Sequence, residues 1–373
     1  MKEVNGSRKV FVLGLDGATF DIIDPMIARG ELPNIQKIIK EGVRADLNST
    51  LLHNSPPAWT SFATGKNPGK HGIIGFTKLD PNSYRLSLVY GSHNRSKPMW
   101  EILGEQGKKV IVVNIPMTYP PRPVNGILIS GLDAPSTEVD FTFPKEIKKE
   151  ILQVDPRYKI NLHLGGYLTS DARRVEALAI ISETTQAMLN VVLHLMNHYP
   201  WDLFVVRFNS PDNVQHQFWS FMDETHPEHR PDSPQVLKDA IKTVYKELDQ
   251  VVAKVHGNID PATTNLIIMS DHGGGPRSGK SIYVNEWLRS IGYLSKIGEE
   301  ATGIRQAIKR WGEDCRFFIK DKVLSLLLRS LSPKIKAKLM HHIPSAAGMT
   351  ATFLRFSGIN WKHTRAFAGE VEG

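Results

Sequence analysis

The chain has 373 residues, of which 41% are hydrophobic and 23% are charged, with 29 glycines, 23 prolines and one cysteine. These proportions are typical of a globular protein and exclude a collagen-like, a disordered or a disulfide-rich chain. Because Cys315 has no cysteine partner, any metal must be held by Asp, Glu and His, and a reducing compartment is allowed.

The first residues predict neither a secretory signal nor a membrane anchor. The apolar run from Val10 to Leu15 is short and stops at Asp16. No window approaches the roughly 18 to 20 unbroken apolar residues that a membrane span needs. We therefore expect a soluble, cytoplasmic protein without a transmembrane segment.

Apolar, β-rich runs alternate with helical stretches along the chain. The predicted strands are 9–15, 43–50, 109–115, 127–131, 202–208 and 264–270, and the predicted helices are 33–41, 57–64, 97–106, 171–197, 234–256 and 282–291. Several of these strands are apolar on both faces, which indicates a sheet covered on both sides. The predicted fold class is therefore α/β, with a doubly wound, mostly parallel sheet flanked by helices.

Two stretches fit this alternation poorly and are predicted to be cap insertions in a single domain over 1–373. The first covers about 77–166 and is rich in Pro, Gly and polar residues; the second covers about 296–361.

The second of these insertions carries most of the excess positive charge. The formal net charge of the chain is +8, and the part of the chain between Gly303 and Lys338 has ten basic and three acidic residues, with apolar residues at helical spacing. This pattern is typical of a solvated helix face over a core stripe, or of a surface that attracts an anionic substrate or contacts anionic lipid. Nucleic acid is not favoured as the primary partner, because aromatic residues are not interleaved with the charges.

Acidic residues follow three of the predicted strands. Asp16 follows the first strand, Asp212 lies shortly after the strand 202–208, and Asp271 follows the strand 264–270. Taken singly, each could be a turn or helix-cap residue. Since ligands bind outside the carboxyl ends of strands in an open parallel sheet, the three together predict carboxylates on one rim.

Two histidines accompany these carboxylates. His272 is adjacent to Asp271 and precedes three glycines, which allow the backbone to approach closely. His216 lies four residues after Asp212, so both would share one face of a helix. A mixture of carboxylate and imidazole ligands favours zinc or manganese over magnesium or calcium.

A serine precedes the predicted helix 57–64. Ser55 stands before Pro56 and Pro57, and Gly65 suits the end of the helix. The hydroxyl would lie at a helix N-terminus, where amides and the helix dipole favour an anion. It is either an ordinary capping serine or, beside the acidic rim, a nucleophile whose pKa is lowered by a metal.

Four blocks of sequence occur in an order that resembles the type I phosphodiesterase/nucleotide pyrophosphatase family of the alkaline phosphatase superfamily. They are GLDGATF, SPPAWTSFATGKNPGKHGIIGF, NSPDNVQH and SDHGGGP, at 14–20, 55–76, 209–216 and 270–276. The resemblance covers most of the chain. It implies a site with two divalent metal ions, usually zinc, one held by Asp16, Ser55, Asp271 and His272 and the other by Asp212 and His216.

The resemblance also implies an activity. Ser55 lies nine residues before Thr64, at the position of the family's nucleophile, and Thr60 is the fallback. The expected enzyme hydrolyses phosphate esters (phosphodiester, pyrophosphate or phosphomonoester) of a small phosphorylated substrate, through a covalent phospho-enzyme intermediate.

Two departures from the family pattern qualify that expectation. Phe76 stands where nucleotide pyrophosphatases place an asparagine that donates to the phosphoryl oxygen. The family's second metal takes a further histidine from a segment that would lie beyond Gly373, so we expect a chain that lacks its C-terminal part. The histidines that could substitute are more typical of surface or packing residues: His53, His71, His93, His341, His342 and His363. The alternative is a catalytically weak or inactive relative that binds phosphorylated ligands or anionic membrane surfaces.

Overall fold

A computed structural model describes residues 8–79, 86–162, 164–277, 280, 282–297 and 358–368. The chain forms two compact units, one of Met1–Gly75 with Val89–Arg277 and one of Phe76–Leu88 with Ser278–Gly373. The single domain over 1–373 stays a prediction. The basic segment 303–338 and most of the predicted insertion 296–361 lie outside the described residues.

The described strands and helices follow the chain in an alternating order. The strands are β1 (Lys9–Leu15), β2 (Thr77–Leu79), β3 (Leu86–Leu88), β4 (Val110–Ile115), β5 (Gly126–Ser130), β6 (Thr142–Phe143), β7 (Leu203–Phe208) and β8 (Thr264–Met269). The helices are α1 (Phe20–Ala28), α2 (Pro33–Glu41), α3 (Ser55–Thr64), α4 (Pro68–His71), α5 (Met99–Glu105), α6 (Ile147–Val154), α7 (Asp171–His198), α8 (Ser210–Met222), α9 (Gln235–Lys238), α10 (Ala240–Gly257) and α11 (Val284–Ser290).

The first unit contains a six-stranded sheet in the order β6-β5-β4-β7-β1-β8. All neighbours are parallel except β5 and β6, which are antiparallel. The predicted α/β fold with a mostly parallel sheet is therefore confirmed. Because β7, β1 and β8 are adjacent and parallel, their carboxyl ends lie along one stretch of the same edge.

Apolar side chains cover both faces of this sheet. Along β1, Phe11 and Leu13 belong to the larger core cluster, whereas Val12 points into a second cluster that also contains Trp59 of α3 and Trp100 of α5. Such alternation follows from the two-residue repeat of a strand. It explains why the buried strands read as continuous apolar runs.

Helix α7 belongs to the larger cluster. Among the described helices it is long and apolar enough to cross a membrane, but 56% of its most apolar window is buried within the protein. Its apolar residues Ile181, Val192 and Leu195 are fully buried in the core cluster. Length and composition of this one helix are therefore weak indications of a membrane span.

Two sequence predictions differ from the observed sheet. Residues 43–50 form no strand, and Val43 and Leu47 are 98% and 66% exposed; their alternating pattern has no neighbouring strand to pair with among the described residues. The predicted insertion 77–166 contains β4, β5 and β6, which are part of the sheet. Their apolar residues are needed to complete the core, so this stretch is not an insertion as a whole.

In its described residues, the second unit contains the antiparallel pair of short strands β2 and β3. Leu86 of β3 packs in one cluster with Leu294 and Ile359, which explains why residues 76–88 group with residues after 278. Helix α11 matches the predicted helix 282–291 with shorter ends.

Candidate metal centre and nucleophile

The predicted ligands lie at the carboxyl ends of β1, β7 and β8. Asp16 directly follows β1, Asp212 lies in the first turn of α8 after β7, and His272 lies just beyond β8. One ligand atom from each of these three residues lies within 4.8 Å of those of the other two. This group takes residues from both of the metal sets implied by the family resemblance, so the two sets adjoin each other.

Ser55 is the first residue of α3, and its hydroxyl faces this group. Its Oγ lies 3.4 Å from Asp16 Oδ1 and 3.3 Å from His272 Nε2. The N-cap of α3 is Asn54, and the side-chain contacts observed for Ser55 go to Asp16 and His272. Of the two interpretations offered by the sequence, the capping serine is therefore not what is observed.

The start of α3 differs from the expected anion site. Pro56 and Pro57 occupy the second and third positions of the helix, and proline has no backbone N–H. The helix N-terminus therefore offers fewer amide donors to an anion than the sequence pattern alone implied.

Thr60, the alternative nucleophile, bonds to the backbone of its own helix. Its hydroxyl donates a 2.6 Å hydrogen bond to the carbonyl of Pro56 one turn earlier, and the residue is buried. This is an ordinary back-bond within a helix. Of these two hydroxyls, that of Ser55 faces Asp16 and His272, whereas that of Thr60 bonds within its helix.

Asp16 is fully buried and has two further partners that the sequence did not reveal. Trp59 Nε1 donates to Asp16 Oδ2 at 2.7 Å, and the Arg207 guanidinium donates to the same oxygen. Burial lowers the pKa of Arg207, but the charge and the hydrogen bond of Asp16 outweigh burial and leave it raised. The signal was present, since an arginine in the middle of the apolar strand β7 needs a buried anion.

Asp271 has one satisfied and one unsatisfied oxygen. Oδ1 accepts the N–H of Gly17 at 3.3 Å. Oδ2 is buried, has no hydrogen-bond partner among the described residues, and lies 3.5 Å from His272 Nε2. Burial, followed by the negative charge of Asp16, raises the pKa of Asp271 to about 7.

His272 faces Asp271 Oδ2 with its Nε2 atom. Nδ1 lies 2.8 Å from the carbonyl of Gly273, and since a carbonyl only accepts, the proton is on Nδ1 and Nε2 is available to a ligand. Burial lowers the pKa of His272, but the charges of Asp271 and Asp16 outweigh it, so the pKa is raised. This imidazole is thus surrounded by negative charge.

Asp212 and His216 form the predicted pair on α8. Their Oδ1 and Nε2 atoms lie 3.2 Å apart, with the His216 side chain 70% exposed and that of Asp212 23% exposed. The hydrogen bond that Asp212 accepts from His216 raises the pKa of His216. Burial raises the pKa of Asp212, but the hydrogen bond and charge of His216 outweigh it and lower the pKa.

Gln215 was missed by sequence reasoning and connects two of the loops that carry ligands. Its Nε2 donates to the carbonyl of Gly17 at 2.8 Å, and a Cβ at Gly274 would overlap its side-chain oxygen. Gly17 itself has a φ of +67°, a conformation that favours glycine. The glycines beside Asp16 and His272 therefore allow close packing of these loops.

The carboxylates and imidazoles of this site are suitable ligands for a divalent cation. Asp16, Asp212 and Asp271 crowd negative charge into a largely buried space, and Asp271 Oδ2 has no hydrogen-bond partner in the part of the chain that the structure describes. Buried charges are normally paired or bound to metals, and carboxylate with imidazole suits zinc or manganese. Among the described residues the second set shows only Asp212 and His216, fewer than the three protein ligands of a typical catalytic zinc.

The other histidines do not supply the missing ligand within the described residues, where no further group of metal ligands is found. His71 is buried, accepts the N–H of Ile73 and hydrogen-bonds to Ser61, so it joins α3 to the following loop. His93 accepts the N–H of Tyr90. His341 and His342 lie outside the described residues.

Comparisons with known proteins identify the family of this chain. A family model described as type I phosphodiesterase/nucleotide pyrophosphatase matches residues 10–334. The chain belongs to this family, which confirms the resemblance of its four sequence blocks. A search of curated protein sequences finds no match.

One solved structure shares the fold at low sequence identity, and another is similar at a lower TM-score. The crystal structure of phosphonoacetate hydrolase from Sinorhizobium meliloti 1021, in complex with phosphonoformate, has a TM-score of 0.55 and 17% identity over 80% of this chain. This chain spans 66% of the length of that hydrolase. Human ectonucleotide pyrophosphatase/phosphodiesterase 5 has a TM-score of 0.48 and 18% identity, with 78% of this chain and 63% of that one covered.

Proposed function

We propose that the chain is a metal-dependent hydrolase of phosphate esters in which Ser55 is the nucleophile. The observation that carries this proposal is the position of the Ser55 hydroxyl, within 3.4 Å of Asp16 Oδ1 and His272 Nε2. A buried serine that caps no helix and faces a carboxylate and an imidazole is suited to phosphoryl transfer. Membership of the phosphodiesterase family supports the same reaction.

The metal ions proposed are zinc, with manganese as the alternative. Asp16, Ser55, Asp271 and His272 would hold one ion, and Asp212 and His216 would hold a second ion more weakly. A divalent cation bound at these side chains lowers the pKa of a neighbouring oxygen and offsets the charge of a phosphoryl group.

The proposed reaction of Ser55 has two steps, formation of a phosphoserine and its hydrolysis. Its Oγ forms a bond to phosphorus while the bond from phosphorus to the leaving oxygen breaks; the hydroxyl proton passes to solvent, and water protonates the leaving oxygen. A second water then attacks the phosphoserine, releases the phosphate product and returns a proton to Ser55. Before reaction, Ser55 Oγ donates to Asp16 Oδ1 at 3.4 Å.

The proposed substrate is a small phosphate ester or pyrophosphate. Phosphonoacetate hydrolase, which shares the fold, has been solved with phosphonoformate, a small anion of related shape. Pro56 and Pro57 donate no N–H and Phe76 has no polar group, so nucleotide recognition has little support from these positions. A cytoplasmic location stays a prediction from the sequence.

Hydrolysis of two chromogenic substrates tests the proposal. A bis-aryl phosphate and an aryl monophosphate are assayed with added zinc or manganese, and Ser55→Ala should lower kcat/KM for the better substrate by on the order of 10³-fold. Thr60→Val is the matched control, because it removes a neighbouring hydroxyl of α3 that bonds only within the helix; it should keep most activity.

Two results would count against this mechanism. Activity retained in Ser55→Ala would rule out Ser55 as nucleophile. Absence of activity in the wild type, with zinc bound, would favour the second candidate, an inactive relative that binds phosphorylated ligands. That candidate draws support from the incomplete second ligand set, in which His216 is largely exposed.

A further inference from the structure

We propose that Trp59 and Arg207 are positioning residues that make Asp16 a metal ligand through one oxygen only. This inference rests on the proposed function, because it concerns the same metal centre. It assigns a role to two buried polar side chains that touch neither Ser55 nor His272 in the hydrogen bonds observed.

The two oxygens of Asp16 have different neighbours. Oδ2 accepts from Trp59 Nε1 at 2.7 Å and from the Arg207 guanidinium. Oδ1 lies 3.4 Å from Ser55 Oγ and 3.8 Å from His272 Nε2. Turning the carboxylate about its Cβ–Cγ bond would break both bonds of Oδ2, so Oδ1 alone is left to face the reactive serine.

Both donors are held rigidly by their surroundings. Trp59 is fully buried, and its indole lies so close to Gly14 of β1 that a Cβ there would overlap it. Arg207 is 3% exposed and lies in β7, between β1 and β4. Asn114 Nδ2 donates to the Arg207 carbonyl at 3.2 Å. The partners of Asp16 therefore come from a helix and a central strand rather than from loops.

Charge gives Arg207 a second contribution. The guanidinium donates to the carboxylate of Asp16. It also interacts through its charge with the carboxylates of Asp212 and Asp271. Its NH1 is buried and has no hydrogen-bond partner among the described residues. Arg207 thus offsets part of the repulsion between carboxylates that must lie close together to share a cation.

The test measures zinc affinity rather than activity. Trp59→Phe keeps an aromatic ring in the core and removes the N–H, so Oδ2 of Asp16 loses one donor. We expect zinc binding, measured by competition with a colorimetric chelator, to weaken about 10- to 100-fold, as is usual when a partner of a metal ligand is removed.

Trp100→Phe is the matched control. Trp100 is also buried and belongs to the same core cluster as Trp59. It should lose a comparable amount of thermal stability while its zinc affinity stays within about twofold of the wild type, since it touches no metal ligand in the bonds observed. Equal loss of zinc affinity in the two variants would overturn the positioning role.

Arg207→Lys separates charge from hydrogen-bond geometry. Lysine keeps one positive charge but lacks the planar fork of a guanidinium. The zinc affinity of the Arg207→Lys protein should therefore also fall about tenfold. Unchanged affinity in a folded Arg207→Lys protein would contradict the role given to the guanidinium.

Asp16→Asn distinguishes this inference from the proposed function. If the wild type binds zinc and Asp16→Asn does not, the metal centre stands, and the Trp59 and Trp100 variants decide the positioning role alone. If wild type and Asp16→Asn bind zinc equally weakly, the metal centre itself is wrong.

Discussion

Two buried carboxylates follow parallel strands of the same sheet, yet their surroundings differ. Asp133 lies three residues beyond β5 and accepts the N–H groups of Gly91, Thr118 and Tyr119 at 3.1, 3.3 and 2.8 Å. Asp271 follows β8, accepts one N–H, and has an oxygen without a hydrogen-bond partner among the described residues.

This comparison shows that burial after a strand does not by itself identify a metal ligand. Burial raises the pKa of both groups, to about 6 for Asp133 and about 7 for Asp271. The backbone donors around Asp133 hold the turn after β4 against Gly91, which is a structural role. The unsatisfied oxygen of Asp271, beside Asp16, is instead what a cation would fill.

Of the two carboxylates, Asp271 should give the larger effect when it is replaced, and the quantity affected is zinc affinity. Asp271→Asn removes a charged ligand, and zinc affinity should fall on the order of 10³-fold, since even partners of ligands are worth 10- to 100-fold. The free energy of unfolding of the metal-free protein at pH 8 should be unchanged or higher, because the variant no longer holds a buried charge beside Asp16.

Chelator competition and urea unfolding with EDTA measure these two quantities. A large loss of metal-free stability in Asp271→Asn would mean that Asp271, like Asp133, is held mainly for the fold, and the contrast between the two carboxylates would disappear.

At Asp133 we instead expect an effect of pH on the free energy of unfolding. Its pKa of about 6 lies above the ordinary 3.8, so the folded state binds this proton more tightly than the unfolded chain and loses stability as pH rises between those values. Asp133→Asn has no such proton. The difference in unfolding free energy should move in favour of the variant by up to about 3 kcal/mol between pH 4 and pH 7.

Urea unfolding of both proteins across this pH range checks the sign. Parallel stability curves would show that the three backbone N–H donors compensate burial fully, which would place Asp133 among ordinary hydrogen-bonded carboxylates.

Local sequence patterns were sufficient for most of the sheet and for several of the side chains that the structure brings together at the candidate site. Lys9–Leu15 was predicted with its observed ends, because a buried parallel strand is apolar on both faces. The strand predicted over 43–50 failed because alternation without a neighbouring strand carries no stabilisation. Pairing between strands depends on contacts that are distant in sequence.

The same limit applies to the site. Asp16, Ser55 and His272 were found because each lies in a short block with recognisable neighbours. Trp59 and Arg207 were missed because their bonds to Asp16 cross 43 and 191 residues of sequence, and a local pattern does not specify which buried anion an arginine will meet. The three donors around Asp133 are backbone groups, which no residue type reveals.

The pair on α8 should show the smallest effect, and it tests whether the centre has two unequal parts. His216 is 70% exposed and is bonded to Asp212 at 3.2 Å, so solvent competes for its nitrogen and little of the site depends on it. A zinc titration of the wild type should show one tight and one weak event, and His216→Ala should weaken only the second, by about tenfold. Equilibrium dialysis that finds two tightly held zinc ions per chain would show instead that the second ion has a ligand beyond Asp212 and His216.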